Sequence, residues 1–206
     1  LENEIELIKK KMYDISKKIS SARKLSKSKI QIGIESAFKN LALKNSKIDF
    51  NLTESDEFNK NGINNIEVLY SPSEESSPKI LSKIASGGEK SRILFALKSI
   101  LSKKIDLPTL VFDEIDSGTS GEIANAIGKM MKIMGKKIQI IAITHLPQVA
   151  SLADYHYKVF KIEGEKNIST NIKKLDKSSR IKEIASMISG ENITESAINQ
   201  AQELLK

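Results

Sequence analysis

Three groups of residues with chemical capacity follow one another between Leu81 and His145. Ser86-Gly87-Gly88-Glu89 comes first, Asp113-Glu114 follows a short apolar run, and His145 ends a second apolar run. Phosphoryl transfer needs a carboxylate near Mg2+, a group that orients or deprotonates the attacking water, and donors for the phosphate oxygens. Asp113 suits the first task and Glu114 the second. A helix N-terminus with bare N–H groups suits the third. Ser86-x-x-Glu89 has the capping-box spacing that opens a helix. Gly87 and Gly88 each cost up to about 1 kcal/mol against Ala inside a helix, but they permit close backbone approach. The run Asp116-Ser117-Gly118-Thr119-Ser120-Gly121 is a turn by composition and sets Asp116 and Ser117 beside the carboxylate pair. Taken singly, each group has a plain structural reading: a capped helix, exposed carboxylates, a connecting loop, a structural histidine. Their order together points to a nucleoside triphosphate.

Those side chains need elements to position them. Leu110-Val111-Phe112, preceded by Pro108, predicts a short strand. It delivers Asp113 and Glu114 to a carboxyl end, where open α/β sheets bind ligands. Ile138–Thr144 is almost unbroken apolar sequence and predicts a strand buried on both faces, as in a parallel sheet. His145 at its end stands level with Asp113-Glu114 and can reach the same phosphate; His156 has no such setting. The helix opened by Ser86 is expected to bury Ile93, Leu94, Ala96, Leu97, Ile100 and Leu101. The helix between the two strands carries Ile123, Ala126, Ile127, Met130, Met131 and Met134, and its methionines read as core.

Outside this centre the chain opens on a seam. Leu1, Ile5, Ile8, Met12, Ile15, Ile19 and Ala22 are spaced 4-3-4-3-4-3, the heptad pattern of a coiled coil, with Lys and Glu outside it. Ser26 and Lys29 end the seam, so residues 1–29 are read as the end of a coiled-coil helix and 30–206 as a globular lobe. Lys9, Lys10, Lys11, Lys17, Lys18, Arg23, Lys24, Lys27 and Lys29 form either a solvated face or a phosphate contact. The spacing stays helical from Ile30 to Leu43. Lys47–Thr53 and Ile63–Tyr70 alternate as strands, joined by a polar loop with Asn61-Gly62. Ser71–Lys79 reads as a loop. Tyr155–Glu163 and Asn167–Leu175 read as two strands around a turn at Gly164. Ser178 is expected to cap a helix that Gly190 stops, and Thr194 to cap the last one.

A length of 206 residues allows one domain with a real core. The net charge of +7 suits a polyanionic partner, nucleotide or nucleic acid, as well as a solvated lysine-rich surface. With no Cys the chain has neither disulfides nor a thiolate zinc site, which fits a reducing cytosol. No apolar run approaches the roughly 20 residues that span a bilayer. The chain begins at Leu1 rather than Met and is expected to be a piece of a longer protein.

The motifs resemble those of ABC-type ATPases. Ser86–Glu89 looks like the signature, Leu110–Glu114 like Walker B, the turn after it like the D-loop and His145 like the switch histidine. More closely, IASGGEKSR, FDEIDSGTSG and ITHLPQVASLAD resemble the RecN family of SMC-like DNA repair ATPases, as do the heptad opening and the RIKEIASMISGENITESAINQAQELL close. Lys90 stands where that family usually has Leu. The resemblance implies an α/β fold, the C-terminal lobe of an ABC/SMC-type ATPase head, with a mostly parallel sheet flanked by helices and an N-terminal coiled-coil helix. It implies ATP and Mg2+ as ligands, with Asp113 holding the metal through water, Glu114 and His145 catalytic, and Ser86, Gly87, Gly88, Glu89, Asp116 and Ser117 binding nucleotide. No G-x-x-x-x-G-K-[ST] loop is present. The resemblance places it on an N-terminal lobe of the same protein. The further implied partners are DNA, with double-strand ends foremost, and a second head joined through ATP; the location is cytoplasmic and nucleoid-associated. Two rival functions are the nucleotide-binding domain of another ABC-type ATPase and a non-enzymatic DNA-binding scaffold.

Overall fold

Helix α1 runs unbroken over Glu2–Phe38, past the end of the heptad seam, in a computed structural model that describes residues 1–102, 104–113, 115, 119–163 and 168–206. The seam residues Ile5, Ile8, Met12 and Ile15 are exposed, and the buried positions of its first half are Ser16 and Ser20. Small side chains one turn apart let a β-hairpin lie directly on the helix. That hairpin is β1 (Lys47–Asn59) and β2 (Gly62–Ser71), antiparallel, with Asn59 paired to Gly62. Gly62 has φ +98, a conformation other residues rarely adopt, and so turns the chain tightly at Lys60-Asn61. Strand β1 extends to Asn59, where the sequence predicts a loop after Thr53. The ladder runs from Lys47 to Glu54, is broken by an irregularity between Glu54 and Asn59, and closes at Asn59↔Gly62, so the polar run is carried as an interruption within the hairpin.

The hairpin is fastened to α1 by polar contacts. Ser20 Oγ donates to Asn64 Oδ1 at 2.8 Å, Arg23 Nη1 donates to the same oxygen at 3.1 Å, and Lys17 and Lys27 pair with Glu54 and Asp49. Strand β3 (Lys79–Ile80) adds to β2, and α2 (Leu81–Ile84) leads to α3 (Gly87–Leu101). Helix α3 packs against α1 closely enough that a Cβ on Gly33 would lie 3.2 Å from Ile100 Cδ1. Its buried face is Ile93, Phe95, Ala96 and Ser99. Leu94 and Leu101, expected inside, are exposed, while Ile93, Phe95 and Ala96 are fully buried. With Ile34, Phe38, Leu41, Ile48, Ile63 and Tyr70 these three supply buried apolar residues of a compact unit covering 1–104.

The second unit, 105–206, contains the parallel pair the sequence predicts. Strand β4 (Thr109–Asp113) is joined through α4 (Gly121–Met134) to β5 (Gln139–Ile143), in register from Thr109↔Gln139 to Asp113↔Ile143. Ala124, Ile127, Gly128, Met131 and Met134 are the buried residues of α4. One expectation fails: β5 is not buried on both faces, and Ile141 and Ile143 are 45% and 54% exposed, with Val111 on β4 at 51%. No third strand is hydrogen-bonded to this pair among the described residues; Phe112 on the opposite face of β4 is buried, at 2% exposure. A one-turn helix α5 (Pro147–Ala150) follows, then the antiparallel pair β6 (Tyr157–Glu163) and β7 (Ile168–Lys174). The turn expected at Gly164 lies outside the described residues. Helix α6 (Lys177–Ser189) is capped by Asp176, which accepts from Ser179 N at 2.7 Å, rather than by Ser178. Two more residues of lead-in bring the Asp carboxylate to the cap, and an anion there also meets the helix dipole. Thr194 caps α7 (Glu195–Leu204), as expected, and Ala150, Ile184, Ala185, Ala197 and Ala201 form a small core between α5, α6 and α7. No described helix is long and apolar enough to cross a membrane.

Candidate functional site

Ser86 is the N-cap of α3, and both halves of the capping box are made. Ser86 Oγ accepts from Glu89 N at 3.2 Å, and Glu89 Oε2 accepts from Ser86 N at 2.8 Å. Ser86 and Gly87 are exposed, and a Cβ built on Gly87 would meet nothing within 4 Å. No packing among the described residues therefore demands glycine there, whereas an unobstructed helix start is what an approaching anion needs. The Glu89 carboxylate has a second anchor that the spacing does not reveal. Tyr70, fully buried at the end of β2, donates its hydroxyl to Glu89 Oε1 at 3.0 Å. Burial alone would raise the Glu89 pKa, but the hydrogen bonds from Ser86 and Tyr70 outweigh it and hold the carboxyl below its ordinary range.

In the other unit, Asp113 closes β4 and is exposed. Because β4 and β5 are parallel and Asp113 pairs with Ile143, His145 stands two residues beyond β5 on the same sheet edge. The backbone is fixed there by Leu146 N, which donates to Thr144 Oγ1 at 3.0 Å, before α5 begins at Pro147. The strand ends thus bring Asp113 and His145 to one edge, as the apolar runs predict. Glu114, Asp116 and Ser117 lie outside the described residues.

Among the described residues no group of three or more His, Asp or Glu is placed to hold a metal ion. Asp113 offers one exposed hard oxygen ligand. That suits Mg2+, which keeps its waters and takes one or two carboxylates plus substrate phosphates, and it does not suit a closed protein cage. A cleft of 680 Å³ in the same unit is lined by Tyr155, His156, Lys174, Arg180, Ile181 and Leu205 among others, none of them in the predicted set.

No family-level sequence profile matches the chain. It is 38% identical over 193 residues to the DNA repair protein RecN of Rickettsia bellii, covering 94% of this chain and 35% of that protein. The chain therefore spans about a third of the length of that relative. Among solved structures, an Smc head domain with a coiled coil and joint from Pyrococcus yayanosii is similar over 100% of this chain and 34% of its own, with a TM-score of 0.64 and 19% identity. An SMC ATPase structure described for ATP-driven dimerisation and DNA-stimulated activation covers 84% of this chain and 99% of its own, with a TM-score of 0.55 and 18% identity. At these identities the structural likeness establishes the fold: an α/β lobe of the SMC-head type.

Proposed function

Because the chain belongs by sequence to the RecN DNA repair proteins, of which it spans about a third, we propose that it is the C-terminal lobe of an SMC-like ATPase head. In this reading residues 1–29 are the end of the returning coiled-coil helix and 30–206 the lobe. The observation that carries it is the parallel register of β4 and β5, with Asp113 and His145 at one strand-end edge. Asp113 would hold, through water, the Mg2+ that offsets charge on the ATP phosphates. Glu114 would orient and deprotonate the attacking water, and His145 would donate to the γ-phosphate bound in the same head. The Ser86–Glu89 helix start would face the γ-phosphate of ATP on a second head, with Asp116 and Ser117 beside it. ATP would then join two heads, and hydrolysis would release them. The polyanion this work serves would be DNA, tethered or joined at double-strand ends, in the nucleoid of the cytoplasm.

The apolar surface left open supports a missing partner. Val111, Ile141 and Ile143 stand exposed on a sheet whose sequence is that of a buried strand. An N-terminal lobe carrying the phosphate-gripping loop would cover them. The scaffold alternative, with DNA on the basic face of α1, is weakened because Lys17, Lys24 and Lys27 already pair with Glu54 and Asp49. In the full-length protein Glu114→Gln should lower ATP turnover a hundredfold or more, the range of a lost general base, while ATP-bound dimers accumulate. Turnover near wild type would remove Glu114 from the mechanism.

A further inference from the structure

Tyr70 is one of the largest fully buried side chains, and it ends in a polar atom. Its hydroxyl lies 2.9 Å from Ser46 Oγ as well as 3.0 Å from Glu89 Oε1. Ser46 is itself buried and also reaches the Pro72 carbonyl at 3.1 Å. A phenol has one hydrogen to give, and it goes to the carboxylate; Ser46 then divides its own hydrogen between Tyr70 and Pro72. Burial, and then the hydrogen bond to Glu89, raise the Tyr70 pKa, so the phenol keeps its proton. The capping box fixes only one oxygen of Glu89. Tyr70 fixes the other, so the carboxylate can neither rotate nor swing. That matters because a carboxylate in the first turn of α3 carries the same sign as any phosphate arriving at the helix start. Left mobile, it would compete for the first-turn N–H groups and repel the ligand.

We propose that Tyr70 is a positioning residue for the phosphate seat at Ser86–Glu89. Its hydroxyl pins Glu89, so that the first N–H groups of α3 face the γ-phosphate of the opposite head with no loose carboxylate among them. The proposal rests on the reading of Ser86–Glu89 as that seat.

The test is Tyr70→Phe in the full-length protein. It removes one hydroxyl, keeps the ring in its core site, and leaves Ser46 its Pro72 carbonyl. Turnover number and ATP-dependent head-pairing affinity should each fall about tenfold, the size of one hydrogen bond to a charged group. KM for ATP should stay within about twofold, because the gripping loop of the same head binds ATP before pairing. Assays well below both thermal midpoints separate this from unfolding. Wild-type turnover and pairing overturn the proposal, as does a loss that cooling restores. Ser86→Arg is the companion variant, which blocks the seat with a bulky side chain. If it leaves turnover intact, the seat reading fails and Tyr70 with it. If Ser86→Arg abolishes turnover while Tyr70→Phe does not, Tyr70 alone fails.

Discussion

A titratable residue with no part in the proposed chemistry has a measurable consequence. His156 is half-buried, and its Nδ1 is enclosed without a hydrogen-bond partner. Burial first, then the positive charges of Arg180 and Lys158, push its pKa below the ordinary 6.5; Glu183 opposes them but does not prevail. Above 6.5 the imidazole is neutral in the folded and unfolded chain alike, and its contribution is fully present. Below 6.5 the unfolded chain takes up a proton that the folded chain refuses, so stability falls as the solution is acidified. The shifted carboxylates Asp49, Glu54, Glu89 and Asp176 all have folded pKa values lowered from 3.8 or 4.5, so their stabilisation is lost only at lower pH. Urea unfolding at pH 7.5 and 5.5 isolates the histidine. The wild-type chain should lose stability between the two, and His156→Gln should flatten that slope; an equal slope in both would mean that His156 titrates normally.

At the scale of elements, the end of α6 distinguishes backbone from packing. Gly190 has φ +76 and ψ −151, a region essentially closed to other residues, yet a Cβ there would meet nothing within 4 Å. Gly190→Ala should therefore destabilise by about 1–3 kcal/mol through backbone strain alone, with no gain from filling space. Denaturant titration reads that shift; a neutral outcome would mean that the α6–α7 connection relaxes to another conformation. Such a stop is legible in sequence, as is the capping box, because both follow from residue type at fixed local offsets. The parallel pair is legible for the same reason, from two apolar runs each ending in a polar residue. What local pattern does not carry is choice of partner. Tyr70 and Glu89 are 19 residues apart and meet only because β2 and α3 pack in one unit. Leu94 and Phe95 are both apolar neighbours on α3, yet Phe95 is fully buried and Leu94 half-exposed, a choice that helical spacing does not carry. The polar run after Thr53 reads as loop, but β1 continues through a register irregularity to pair Asn59 with Gly62.

For the whole molecule, the chain's open surfaces and its motifs point the same way. Ile5, Ile8, Met12 and Ile15 stand exposed along a heptad seam, and Val111, Ile141 and Ile143 stand exposed on the β4–β5 sheet. Exposed apolar groups of this kind mark surfaces that meet another chain segment. The sequence also lacks the Gly-rich loop that would hold the β- and γ-phosphates. On the proposed reading, a lobe with a carboxylate edge and a helix start, but no grip on the nucleotide, would complete a site and not form one. The purified chain should therefore hydrolyse no ATP above background. Joined with the polypeptide that carries the loop, through the same seam and sheet, it should regain turnover, and Asp113→Asn should remove that regained activity. Hydrolysis by the pure chain, surviving Asp113→Asn, would show that the catalytic residues lie elsewhere. Turnover in the joined protein that ignores Asp113→Asn would likewise displace the β4–β5 edge from the reaction.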